Sequence, residues 1–157
     1  MVVSPDGPPC QCGKRGCLQA LSSGTALTRR ARQRVRGGNA ESVLSKVPTD
    51  ALTGRMVGEA ALAGDPVAGE LVEEAAWWIG LALANAGHLI DPERIIIGGG
   101  VADLGELLLE PIRASWREHI FGPATGTPIV RAELGYDAGV IGAAAVVMDG
   151  AGARAEP

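Results

Sequence analysis

Aromatic side chains are scarce in this sequence: three tryptophans, one tyrosine and one phenylalanine make up 3% of 157 residues. Ala, Leu, Val and Ile must therefore fill the core, which suits helices packed on a sheet. A long apolar run is also lacking. The most apolar stretch, Ala75 to Ile90, falls short of the roughly 20 residues that a spanning helix needs. Asn85 and His88 interrupt it, so it reads as a buried helix and no membrane partner is expected. There is no basic excess either. The net charge of -4 gives no support to a general affinity for nucleic acid or anionic membranes. The opening residues Met1 to Gly7 are too short and too polar for the apolar core of a secretory signal, and the expected location is the cytoplasm. With three cysteines, an odd number, a disulfide framework is a poorer reading in a reducing compartment than metal ligation.

What is present is enough for one domain with a real core: 46% hydrophobic and 20% charged residues. Val2 and Val3 read as the end of a strand, and Pro5-Asp6-Gly7 as a turn. After the cysteines comes a helix broken near Ser22-Ser23-Gly24. It carries Leu27, Ala31 and Val35 as an apolar stripe and stops at Gly37-Gly38. Thr49 and Asp50 are the expected caps of the next helix, to about Ala63. Gly64-Asp65-Pro66 ends it and starts another, which runs to about His88 with Leu71, Ala75, Trp78 and Ala82 inward. Arg94 to Gly98 reads as a strand buried on both faces. Leu104 to Phe121 is helical, with a kink or two abutting helices at Pro111. Ile129 to Leu134 is a second strand, and Ala138 to Met148 a helix of small residues. Strands alternating with helices make this an α/β domain over residues 1–149, with 150–157 expected to be a disordered tail.

The strongest local signal is Cys10-Gln11-Cys12-Gly13-Lys14-Arg15-Gly16-Cys17. Zinc takes soft thiolate ligands in tetrahedral geometry. The glycines allow a short loop to fold round an ion by reaching positive φ, and Lys14 and Arg15 offset thiolate charge. The competing reading is three free buried cysteines. A fourth ligand is missing nearby in sequence, since His88 and His119 are distant.

Cys10-x-Cys12-Gly13-x-x-Gly16-Cys17-Leu18, followed by Ser23-Gly24, is similar to the zinc signature of the ROK (repressor/ORF/kinase) family of sugar kinases. Asp91-Pro92-x-x-Ile95-Ile96-Ile97-Gly98-Gly99-Gly100 is similar to that family's adenosine motif. Gly64-Asp65-Pro66 and Gly139-Val140-Ile141-Gly142-Ala143-Ala144 also resemble family positions, with a structural role. The likeness runs from about Met1 to Met148. It implies an actin-like ATPase (ribonuclease H-like) lobe with helices on a mixed sheet, incomplete at its amino terminus.

The resemblance further implies structural zinc on Cys10, Cys12 and Cys17, with the fourth ligand, a His, immediately upstream of Met1. Zinc is then expected to bind weakly or with a substitute ligand. Gly98, Gly99 and Gly100 would border the adenosine of ATP. Gln19 stands where the family usually has a sugar-binding Glu; it keeps an acceptor and loses the charge. The family's phosphate loops and catalytic Asn-Asp pair have no match, so no catalytic residue is expected in this chain. The parent would be a glucokinase-like enzyme using ATP and Mg²⁺ on a hexose. The alternative is the effector lobe of a sugar-responsive repressor.

Five arginines between Thr28 and Arg36 fill the solvated side of a helix. Trp77 and Trp78, about 100° apart on a helix, divide between core and interface. Asp103, Glu106 and Glu110 favour a helix start. An exposed apolar final helix favours homo-oligomers.

Overall fold

The computed structural model describes residues 1–38 and 41–152. In chain order they form α1 (Leu18–Ser22), α2 (Gly24–Arg36), α3 (Gly54–Leu62), α4 (Pro66–Ile90), β1 (Ile95–Ile97), α5 (Glu106–His119), β2 (Ile129–Arg131) and α6 (Ala138–Gly152). Short 3₁₀ turns lie between them. Of the mixed sheet expected, the described residues supply two parallel strands, Ile95 opposite Ile129 and Ile97 opposite Arg131. The crossover through α5 permits the parallel pairing. Among the described residues, antiparallel pairing is confined to isolated bridges, Val2 with Cys17 and Pro9 with Arg15.

The core gathers on α4, whose Leu71, Val72, Ala75 and Ala76 are fully buried. The approach of α5 is close because α4 carries glycine at the crossing. A Cβ on Gly80 would fall 2.5 Å from Ser115 Cβ and 2.6 Å from the Ile112 carbonyl oxygen. One on Gly87 would fall 2.4 Å from the ring of Trp116. Trp116 is therefore the core tryptophan. Trp77 is exposed and Trp78 half-buried, so the expected division of that pair does not hold. Their rings instead meet edge-on at 4.8 Å.

Asp65 caps α4 through Ala68 N–H at 2.9 Å, and Pro66 opens the helix as the sequence indicates. The same carboxylate accepts from the Ser42 hydroxyl at 3.0 Å and from Val43 N–H at 2.7 Å. One buried side chain thus starts a helix and pins the connector between α2 and α3. The cap of α3 is Thr53, not Thr49 or Asp50. Leu52 is fully buried, and Arg32 holds the carbonyls of Asp50 and Leu52 at 2.7 and 3.0 Å. These contacts keep residues 49–52 out of the helix. The arginines of α2 are not simply solvated. Arg29 donates to the Ala20 carbonyl, Arg30 pairs with Glu74 and Arg34 with Glu70.

Ile96 is 63% exposed, contrary to a strand buried on both faces. Ile95 and Ile97 pack on the core, and alternation puts Ile96 on the other face. Pro111 costs α5 the hydrogen bond to the Leu107 carbonyl without dividing the helix. Asp103 pairs with Arg131, while Glu106 and Glu110 both engage Arg113. The final helix reaches Gly152, past the expected end at Met148; the remainder of the expected tail, 153–157, lies outside the described residues. No helix of the described residues is long and apolar enough to cross a membrane.

Candidate functional site

The cysteine loop is a compact knuckle. Cys10 N–H donates to the Lys14 carbonyl at 2.8 Å and Gly13 N–H to the Cys10 carbonyl at 3.0 Å. Gly13 and Gly16 have φ of 83° and 62°, the left-handed region that glycine enters freely. Gly16 is required sterically as well, since a Cβ there would lie 1.4 Å from the Ser4 carbonyl oxygen. Val3 and Ser4 both donate to the Gly16 carbonyl, which ties the first residues across the loop.

This fold brings the three thiols together. Their sulfur atoms lie within 4.8 Å of one another, with Cys12 Sγ and Cys17 Sγ 3.5 Å apart. Thiolates placed ~2.3 Å from zinc at tetrahedral angles stand about 3.8 Å apart, so the spacing fits three of four ligands. Among the described residues no other His, Cys, Asp or Glu joins this group. Donation from Lys14 N–H, and then from the neighbouring thiols, holds the Cys12 thiol below its ordinary value. The hydrogen bond with Cys12, followed by burial, pushes Cys17 up to about 11. Of this pair Cys12 ionises before Cys17, and a bound dication would deprotonate a thiol ligand outright.

Gln19 lies at the start of α1, beside the loop. Cys10 Sγ faces its Oε1 at 3.9 Å. Gln19, Ser23, Thr25 and Arg29 border a small recess of about 60 Å³ between the loop and α2. Its exposed amide is accessible to a small polar ligand.

A larger cavity lies elsewhere, at about 730 Å³, within the range of small-molecule sites. One wall is a single face of α3: Gly54, Arg55, Gly58, Glu59 and Leu62. The other walls are Gly24 and Leu27 of α2, and Gly100, Val101, Asp103 and Leu104 from the turn after β1. Glycine shapes it. A Cβ on Gly54 would fall 2.4 Å from the Gly24 carbonyl oxygen, and one on Gly58 2.9 Å from Leu104 Cδ2. Of the three glycines singled out in the sequence, Gly100 forms part of the wall, while Gly98 and Gly99 lead into it from β1. Arg55, Glu59, Leu62 and Asp103 line this cavity and were not singled out from the sequence as candidate site residues. The available signal was Gly54 and Gly58, small residues four apart on one helical face.

The model of the ROK family matches residues 1–150, and the chain belongs to that family. It is 39% identical over 146 residues to a glucokinase of Streptomyces coelicolor, covering 89% of this chain and 46% of that protein. It is 32% identical to the DNA-binding transcriptional dual regulator NagC of Escherichia coli, covering 92% of this chain and 35% of the regulator. Among solved structures, a ROK family glucokinase from Streptomyces griseus in complex with glucose and AMPPNP superposes with a TM-score of 0.82 at 41% identity. The match covers 93% of this chain and 49% of that one. The fold is therefore that of the actin-like ATPases, and the chain spans about half the length of the curated relatives it matches.

Proposed function

We propose that this chain is the nucleotide- and zinc-bearing lobe of an ATP-dependent sugar kinase of glucokinase type. The observation that carries the reading is the large cavity beside Gly100, in a lobe 41% identical to a glucokinase crystallised with glucose and AMPPNP. In this reading Gly98, Gly99 and Gly100 let a nucleoside approach the backbone after β1, and Gln19 contacts the sugar from α1. Cys10, Cys12 and Cys17 hold a structural zinc that fixes the loop from which α1 starts. Zinc supplies no chemistry to the transfer; it supplies folding energy. Phosphoryl transfer needs positioning and charge stabilisation, with Mg²⁺ balancing the phosphates. No base is assigned in this chain, so glucose phosphorylation by these residues alone would contradict the reading. The cytoplasm, where ATP is available, is the location it implies. The exposed apolar residues of α6, among them Val140, Val146, Val147 and Met148, are the surface on which the protein would associate with copies of itself.

A second reading, the effector lobe of a sugar-responsive repressor, rests on the 32% identity to NagC and on Gln19. Equilibrium binding separates the two. The kinase reading expects saturable binding of AMPPNP, competed by ATP. Sugar binding with no nucleotide binding favours the effector lobe.

A further inference from the structure

Among the described residues, three charged side chains line the large cavity: Arg55, Glu59 and Asp103. Each is already compensated. Arg55 Nε donates to Glu59 Oε1 at 2.8 Å, and Asp103 Oδ1 accepts from Arg131 at 2.6 Å. Arg55 is the one cation among the described lining residues, and its charge is spent on Glu59. Such a wall is poorly suited to a phosphate chain, which would have to compete with a carboxylate for the guanidinium. It suits an uncharged polar group.

The hydrogen-bonding capacity left over defines that group. Among the described residues, Glu59 Oε2 and the two terminal nitrogens of Arg55 have no protein partner. An acceptor and donors therefore stand side by side, one helical turn apart, on the cavity face of α3. Leu27, Leu62, Val101 and Leu104 supply an apolar surface for a planar base. A carboxylate accepting from ribose hydroxyls is a recurrent way of holding a nucleoside. From Gly54 to Leu62 the helix face measures about 12 Å at 1.5 Å per residue, long enough for a base and its sugar.

We infer that Glu59, steadied by Arg55, accepts hydrogen bonds from the ribose hydroxyls of the nucleotide seated in this cavity and selects ribonucleotides over deoxyribonucleotides. This rests on the nucleotide reading of the cavity. Glu59 is thereby a specificity-determining residue, and Arg55 a positioning residue that acts through it. Asp103, held by Arg131 on the opposite wall, has no part in the selection.

The test is calorimetric titration of the protein with ATP and with 2′-deoxy-ATP. The variants are Glu59→Ala, Arg55→Ala and Asp103→Asn. All three side chains are largely exposed, and thermal melts confirm that the variants fold. A hydrogen bond to a charged acceptor corresponds to roughly tenfold or more in affinity. The protein should prefer ATP by that factor. Glu59→Ala should bind the two alike, Arg55→Ala should show a reduced preference, and Asp103→Asn should keep it. Equal binding of the two nucleotides by the unaltered protein overturns the inference, as does an undiminished preference in Glu59→Ala or one lost only in Asp103→Asn. In each of these cases ATP still binds, so the nucleotide reading stands. Failure of the unaltered protein to bind either nucleotide overturns that reading as well.

Discussion

Cys12 Sγ and Cys17 Sγ lie 3.5 Å apart although one thiol is exposed and the other buried. The loop between them, turning through Gly13 and Gly16, is what joins the surface to the core. A metal bound there would tether the start of α1, whose first residue follows Cys17 directly.

That arrangement predicts zinc at about one equivalent per chain, measured by elemental analysis after dialysis against trace zinc. Cys12→Ser should lower the stoichiometry to near zero. Because Cys12 is exposed, the variant should melt like the zinc-stripped protein and not lower. Full zinc retention in Cys12→Ser would contradict the assignment. Because no fourth His, Cys, Asp or Glu joins the three thiols among the described residues, a chelator should remove the metal readily from these residues.

Asp65 ties α4 to the connector between α2 and α3. Burial raises its carboxyl pKa, but donation from Ala68 and Val43 N–H, the Ser42 hydroxyl and Val67 N–H outweighs burial and holds it below the ordinary value. A depressed folded value means stability that is present above the unfolded pKa of about 3.9. It is lost as the pH falls through the lower folded value. Asp65→Ala should cost about 1–2 kcal/mol at neutral pH through loss of the cap. The gap between the two proteins' melting temperatures should narrow below about pH 4. A gap that does not change with pH would show that the carboxylate charge is not involved.

The crossing of α4 and α5 is closed by glycine. Gly80→Ala would place a methyl 2.5 Å from Ser115 Cβ and 2.6 Å from a backbone oxygen, and the oxygen cannot move without shifting α5. The expected cost is about 1–3 kcal/mol, read by urea unfolding. The same change at Gly69, where nothing lies within 4 Å, should be neutral or stabilising, as alanine favours a helix interior.

Much of this organisation was legible in the sequence where the signal is local. Ser22-Ser23-Gly24 marked the break between α1 and α2, with Ser23 as the cap, and Gly64-Asp65-Pro66 marked the start of α4. The cysteine spacing indicated that the three thiols could converge, because the two glycines let eight residues turn tightly. What was not legible depends on distant contacts. Thr53 replaced Thr49 and Asp50 as a cap because Leu52 is drawn into the core. Ile96 is exposed because burial of a strand face depends on what packs on it, not on its own sequence. The α3 wall of the cavity was missed for the same reason. Arg55 and Glu59 look like an ordinary surface pair until Gly100 is brought opposite them.

The most direct test of the account is titration of AMPPNP into this protein and into Gly100→Phe. A Cβ at Gly100 meets nothing within 4 Å, and Gly100 is not among the glycines with positive φ. The ring can therefore occupy the cavity without disturbing the fold. The account predicts saturable AMPPNP binding by the protein and loss of binding in the variant at an unchanged melting temperature. Equal binding by both, or none by the unaltered protein, would contradict it.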